Sequence, residues 1–365
     1  MAWAEAPIKE VTARAYRVPT DAPEADGTFA WERTTLIVVQ VKAGGKAGLG
    51  YTYSSMAAVQ VIASTLAPVL MEEDAFSIPR LWQAMVGQVR NMGWRGIAAT
   101  AISAVDVALW DLKARLLGIP LPHLFGLARK EVPIYGSGGF TSYSDERLQD
   151  QLGAWVHENG CRFVKMKIGS KPRRDLARMK AAKESIGDSA LMIDANGAFD
   201  RKEALLFAEQ AADLGVIWFE EPVSSDDFAG LRLLRDRAPT PVEIAAGEYG
   251  YEPFYFKRMM DAGAVDVVQA DATRCCGYTG FLKVAALADA EPLPLSAHTA
   301  PSLHLPVCCA APRLRHIEWF HDHVRIEQIL FDGAPDAKGG VIRPDLSQPG
   351  HGLIFKSEDA ERFSV

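Results

Sequence analysis

From about residue 131 the chain repeats one pattern eight times: a short apolar run followed by an amphipathic stretch. The runs are VPIYGSG, FVKMKIG, ALMIDAN, VIWFEEP, VEIAAGE, VDVVQAD, LPLSAH and RHIEWF. Between them lie helix candidates such as DERLQDQLGAWVHENG, RRDLARMKAAKESIG and RKEALLFAEQAADLG, each with a glycine near its C-terminal end as a stop signal. Runs bounded this way are buried parallel strands of successive βα units, and eight such units close into a barrel. A barrel needs about 200 to 250 residues. The chain has 365, so a second domain is expected.

The segment before the repeat supplies it. KEVTARAYRV, TTLIVVQV and GLGYTYS read as three antiparallel strands, with TDAPEADG and AGGKA as the loops between them. Ile102, Val105, Leu109, Leu112 and Leu116 then form one apolar helical stripe, ended by Gly118 and Pro120. After about residue 335 the tail GGVIRPDLSQPGHG is too polar for another unit and is expected to return to the first domain.

Charge and cysteine content exclude several functions. With 39 basic and 46 acidic residues and no basic stripe, no nucleic-acid partner is expected. No apolar run approaches about 18 residues, so no membrane span is expected, and MAWAEAPIKE lacks the layout of a signal peptide. A cytoplasmic protein is the expectation. The five cysteines, four of them adjacent in pairs, suit neither a disulfide framework nor zinc spacing.

Asp194, Glu220 and Glu248 close three consecutive runs, 26 and 28 positions apart. In a barrel, carboxylates so placed converge at the C-terminal ends of the strands. Three anions there repel unless a hard divalent cation neutralises them, and Mg²⁺, one ion per subunit, suits oxygen ligands supplied one per strand. Each acid alone would be an ordinary helix N-cap; the shared register signals the metal.

Lys165 and Lys167 flank Met166, so the strand period of two puts both ammonium groups on one face and packs Met166 outward. Their repulsion is expected to pull one pKa towards neutrality and leave an amine that accepts a proton. Asp271 and His298 end neighbouring runs, and a carboxylate bonded to an imidazole fixes its tautomer and raises its basicity. Glu318 is either an acid kept protonated by its surroundings or the salt-bridge partner of an arginine. Glu221, of opposite parity to Glu220, is expected to point away and Asn196 to reach the site edge, both as candidates to support the metal ligands from behind, while His304 lines the pocket. His321 and His323 have the parity of a metal pair, but no third ligand is phased to them and a polar loop accounts for them. No serine elbow or phosphate loop occurs.

A cation with a lysine on one side and a histidine on the other suits proton abstraction next to a carboxylate through an enediolate. Reprotonation from the far face racemises or epimerises, whereas loss of a β-hydroxyl dehydrates. KMK, DAN, EEP, AGE, QAD with a later AH, and HIE, in this order and spacing, resemble the enolase superfamily and specifically its mandelate racemase subgroup. The resemblance covers nearly all the chain, and AISAVDVALWDLKARLLGIPL is similar to the family's capping-domain helix.

It implies an α/β fold, a modified TIM barrel of (β/α)₇β type with an N-terminal α+β capping domain completed by the C-terminal tail. The corresponding segments are 1–128 for the cap, 129–335 for the barrel and 336–365 for the tail. It further implies Mg²⁺ at Asp194, Glu220 and Glu248, Lys167 as one base, and Lys165 near the substrate carboxylate. Asp271 with His298 would be the other acid/base, and Glu318 a hydrogen-bond donor to the carboxylate. The run VDVVQADATR lacks the lysine that muconate lactonizing enzymes carry at the end of the sixth strand.

Most members with this set resemble acid-sugar dehydratases. The implied reaction is therefore dehydration of an aldonate or aldarate to a 2-keto-3-deoxy acid, with a racemase or epimerase of a 2-hydroxy acid as the alternative. Two cap loops, near Thr20 to Trp31 and Tyr51 to Met56, are expected to close over the far end of the substrate. Their residues Asp21, Glu24, Asp26, Trp31, Tyr51 and Tyr53 suit a polyol better than a phenyl ring. The partner expected is a small-molecule carboxylate substrate, in a homo-oligomer as is common among relatives. Outside the family, a Schiff-base aldolase is the rival enzyme and a non-catalytic binding protein the remaining class.

Overall fold

In a computed structural model, which describes residues 5–365, the first three strands are β1 (Ile8–Ala25), β2 (Ala30–Ala43) and β3 (Lys46–Tyr53). They form an antiparallel meander in the order β1-β2-β3. The helix Ile97–Leu117 lies across this sheet and is buried over most of its circumference, which its alanine-rich sequence allows. The approach is close enough to require glycine on β3. A Cβ at Gly48 or Gly50 would stand 2.1 Å from the carbonyl oxygens of Ala108 and Ala104, respectively. Gly50→Ala is therefore expected to destabilise the fold by about 2 kcal/mol, measured by urea denaturation, because the helix must move off the sheet.

TDAPEADG is not a plain loop. After a register shift between Pro19 and Glu24 the pairing resumes as Glu24 with Trp31 and Ala25 with Ala30, so β1 and β2 continue into a hairpin. The carboxylate of Asp26 ties its tip by accepting from the backbone N–H groups of Thr28 (2.6 Å) and Phe29 (2.7 Å).

The eight apolar runs are strands β4 (Val132–Gly138), β5 (Phe163–Lys167), β6 (Ala190–Asp194), β7 (Val216–Glu220), β8 (Glu243–Ala246), β9 (Val267–Ala270), β10 (Leu295–Ala297) and β11 (Leu314–Phe320). All pair in parallel in sequence order, and β11 pairs with β4 to close the ring. Inward side chains of Tyr135, Met192, Trp218, Ala245 and Val267 fill the lower barrel, with His316 packed among them and bonded to Ser296, and the buried charged groups collect at the upper end. Met166 packs outward into the main core, as its parity requires. No described helix is long and apolar enough to cross a membrane.

Two features differ from the sequence expectation. Residues 321–330 form a ten-residue helix directly after β11, so His321 and His323 stand in its first turn and not in a polar loop. Its buried face belongs to the cap: Glu327 accepts from the Tyr51 hydroxyl (2.7 Å), Asp322 from the Thr34 hydroxyl, and His323 stacks on Tyr53. β12 (Phe331–Asp332) follows that helix, and the tail contains β13 (Val341–Ile342) and β14 (Ile354–Phe355). It pairs first with the barrel, β13 against β4, before Gly350 and His351 reach the cap near Ile119, Leu121 and Leu49.

Candidate active site

Strand register builds the centre of the site. Lys167 pairs with Asp194, and Asp194 with Glu220, so three charged side chains stand in a row at the tips of β5, β6 and β7. Glu248 is off this register, because Glu220 pairs with Ala245 and β8 ends at Ala246. The chain turns at Gly247, with φ of +135°, where a Cβ would lie 2.1 Å from the Gln269 carbonyl oxygen. Only glycine allows that turn, and it returns Glu248 over the other acids. One ligand atom from each of Asp194, Glu220 and Glu248 lies within 4.8 Å of the others, and all three residues are buried.

The lysines are held by these acids. Lys165 Nζ is 2.6 Å from Glu220 Oε1, 2.8 Å from Glu318 Oε1 and 3.6 Å from Asp194 Oδ2, and Lys167 Nζ donates to Asp194 Oδ2. Burial disfavours both charges, yet Glu220 and Glu318 hold the pKa of Lys165, and Asp194 that of Lys167, above the ordinary lysine range. The expected fall towards neutrality is thus overturned: each ammonium has carboxylate oxygens in contact, and their attraction outweighs the repulsion between the two lysines. Burial pushes the Glu220 carboxyl up to about 8, with Asp194 adding to it.

Asp271 and His298 meet as expected, with His298 Nδ1 2.9 Å from Asp271 Oδ2. His298 Nε2 points back to the acids, 3.2 Å from Glu248 Oε2 and 3.7 Å from Glu318 Oε2. Burial lowers its pKa, but Glu248 and Glu318 together raise it to about 9. Glu318 pairs with Lys165 and His298 and not with an arginine. Burial opposes its charge, but Lys165 and His298 hold its carboxyl low; as an acceptor it takes hydrogen bonds from Ser137 Oγ (2.6 Å) and the Thr299 N–H (3.0 Å).

Other expected site residues are distributed unevenly. Asn196, Trp31 and Tyr53 line a cavity of about 280 Å³ above the acids, together with Lys167, Glu248 and His298. His304 does not line it. It is fully buried behind Asp271, its Nε2 accepting from the Ala272 N–H (2.7 Å) and its Nδ1 2.9 Å from the Thr299 carbonyl. Asp21 lies outside as well, drawn away by His321 Nε2 (3.1 Å) and Arg147 (3.4 Å). Glu221 does not point away: its backbone turns left-handed (φ 37°), which ends the strand alternation. Burial and the nearby charges of Glu248 and Asp194 push its carboxyl well up, and it lines an adjoining cavity of about 380 Å³.

Sequence reasoning passed over Arg274. Its Nη1 bonds the Glu248 carbonyl (3.1 Å) and Oε1 (3.3 Å), and its Nε lies 3.6 Å from Asp271 Oδ2. The signal was available: Arg274 stands one turn past Asp271 in DATR. Arg33, Thr34 and His323 also line the cavity, brought in by the hairpin and the helix after β11.

The donor set fits a dication. Six carboxyls (Asp194, Glu220, Glu221, Glu248, Asp271, Glu318) face four cationic groups (Lys165, Lys167, Arg274, His298) in one buried cluster. The buried oxygens Asn196 Oδ1 and Glu221 Oε1 have no hydrogen-bond donor among the described residues. Two unit charges 4 Å apart interact by about 4 kcal/mol near a protein surface, so three clustered acids gain heavily from a cation. With all-oxygen ligands, Mg²⁺ fits this site.

Comparison with known proteins agrees. Residues 9–126 match the mandelate racemase / muconate lactonizing enzyme N-terminal domain, and residues 147–360 the enolase C-terminal domain-like family. The chain is 33% identical to a 3,6-anhydro-alpha-L-galactonate cycloisomerase of Streptomyces coelicolor, over 98% of this chain and 99% of that protein. It is also 33% identical to the L-talarate/galactarate dehydratase of Salmonella typhimurium, over 90% and 82%. Among solved structures, a mandelate racemase/muconate lactonizing enzyme-like protein of Rubrobacter xylanophilus superposes with a TM-score of 0.96 at 49% identity, covering 98% of this chain and 100% of that one. A racemase of Streptomyces coelicolor with bound magnesium gives 0.92 at 31% identity, with coverage of 98% and 100%.

Proposed function

The chain belongs to the enolase superfamily and its mandelate racemase subgroup, and from that premise we propose that it removes the α-proton of a carboxylate substrate and dehydrates an acid sugar, an aldonate or aldarate, to a 2-keto-3-deoxy acid. One observation carries this reading: Lys167 and His298 line the same cavity as Glu248 and stand at the ends of β5 and β10, on either side of the arc of strands that carries the three acids, so that two proton-transfer groups flank the acids.

Bound at Asp194, Glu220 and Glu248, Mg²⁺ would neutralise these acids and stabilise the negative charge that develops on the substrate carboxylate as its α-proton leaves. With the cation holding Asp194, Lys167 would lose the partner that keeps it charged and could take the α-proton on one face of the α-carbon. His298, its Nδ1 held by Asp271, presents Nε2 on the other and protonates the departing β-hydroxyl. Lys165, beneath them, supplies positive charge towards the carboxylate, and Ser137 with the Thr299 N–H fixes Glu318 in place. Trp31, Arg33, Thr34, Tyr53 and Arg274 offer donors and apolar walls to the hydroxylated end of the substrate.

The cycloisomerase relative favours a second reading with the same first step. A β-oxygen that belongs to a ring is released without loss of water, so the product is an isomer. A screen of mono- and diacid sugars, with their lactone and anhydro forms, in Mg²⁺ separates these outcomes. A 2-keto product from an open-chain acid supports dehydration, and one from a ring form alone supports ring opening. Exchange of the α-hydrogen in D₂O without a keto product replaces both with a racemase or epimerase. A borohydride-trapped adduct formed in EDTA would overturn the reading in favour of a Schiff-base enzyme.

A further inference from the structure

We propose that Asp21, Glu24 and His321 form a second divalent-cation site, one that takes Zn²⁺ and fastens the β1–β2 hairpin to the rim of the barrel. One ligand atom from each lies within 4.8 Å of the others. The two acids come from the hairpin, and the imidazole from the first residue of the helix that follows β11. Glu24 supplies the independent observation. It is 1% exposed, one oxygen accepts from Trp31 Nε1 (2.8 Å), and the other, Oε1, has no hydrogen-bond partner.

Burying a carboxylate with an oxygen unmatched is costly unless a proton or a cation joins it. The neighbouring arginines leave Glu24 unpaired. Arg147 sits 3.4 Å from Asp21, Arg325 binds Asp322 and the Pro19 carbonyl, and no ion pair reaches Glu24 among the described residues. Any proton that Glu24 carries would be displaced by a bound cation. Two carboxylate oxygens and one imidazole nitrogen suit a borderline ion such as Zn²⁺, whereas the all-oxygen triad in the barrel suits Mg²⁺. The site would also set the hairpin that covers the cavity, since Glu24 is bonded to the cavity-lining Trp31.

Zn²⁺ titration by calorimetry in millimolar Mg²⁺, with hydrogen exchange of amides 20–31 as a second readout, tests this without reference to the reaction. Asp194→Asn protein, in which the barrel site is impaired, is expected to take up one equivalent of Zn²⁺ and to slow exchange in the hairpin by about tenfold. Glu24→Gln and His321→Ala, each added to Asp194→Asn, are expected to weaken that uptake by about 30-fold or more and to remove the slowing. Matching exchange in the three zinc-free proteins shows that the hairpin has not simply unfolded; if it differs, the more conservative Asp21→Asn takes their place. Uptake unchanged by the substitutions, or no uptake at all, overturns the second site.

Discussion

Exhaustive treatment with EDTA is expected to abolish turnover of the substrate found in the screen, and Mg²⁺ to restore it. The charge balance of the cluster underlies the expectation. Lys165 and Lys167 sit against Glu220, Glu318 and Asp194, so two of the acids that would hold the metal also engage the ammonium groups. Chelated protein should stay folded for the same reason. Mg²⁺ at about 100 times its dissociation constant should add about 2.7 kcal/mol of stability, an upward shift of a few degrees in Tm. Asp194→Asn removes one ligand and the contact of Lys167 together, and should weaken Mg²⁺ binding by about 100-fold in calorimetry. Full activity in EDTA would remove the metal from the mechanism.

His298→Asn is expected to lower kcat for dehydration by about 10³-fold, within the usual worth of a positioned general acid or base. It should not weaken Mg²⁺. His298 Nε2 faces Glu248 Oε2 at 3.2 Å, where a protonated ring competes with the cation for the same oxygen. With Lys167 untouched, exchange of the α-hydrogen in D₂O should persist while the keto product disappears, because only the departure of the β-hydroxyl needs the imidazole. The competition is pH-dependent. The ion-free ring, raised to about 9 by Glu248 and Glu318 against its burial, is charged at pH 7. Mg²⁺ affinity of the unsubstituted protein should therefore rise with pH through that range, and rise less steeply in His298→Asn. Unchanged kcat would take the Asp271–His298 pair out of the reaction.

The eight strands were legible because burial on both faces leaves short continuous apolar runs, and their phasing located Asp194, Glu220, Asp271, His298 and Glu318 without coordinates. Parity succeeded wherever the backbone stayed extended, as at Lys165, Met166 and Lys167. It failed one residue beyond a strand. The left-handed turn at Glu221 and the glycine turn at Gly247 both break the alternation on which parity rests.

The order and spacing of charged residues along repeated strands determined the fold and placed Lys165, Lys167, Asp194, Glu220 and Glu318 on the inner face, since a period-two backbone in a closed ring leaves those side chains nowhere else to point. Glu248 needed the turn at Gly247 as well. Protonation and neighbourhood were decided only by tertiary structure. Whether Lys165 is released or held depends on Glu220 and Glu318, 55 and 153 positions away, and the loss of His304 and Asp21 from the cavity depends on contacts to Ala272 and His321. Such long-range pairings follow from how strands, hairpin and cap come together in space, and local pattern holds no trace of the distance between two charges until they are brought into contact.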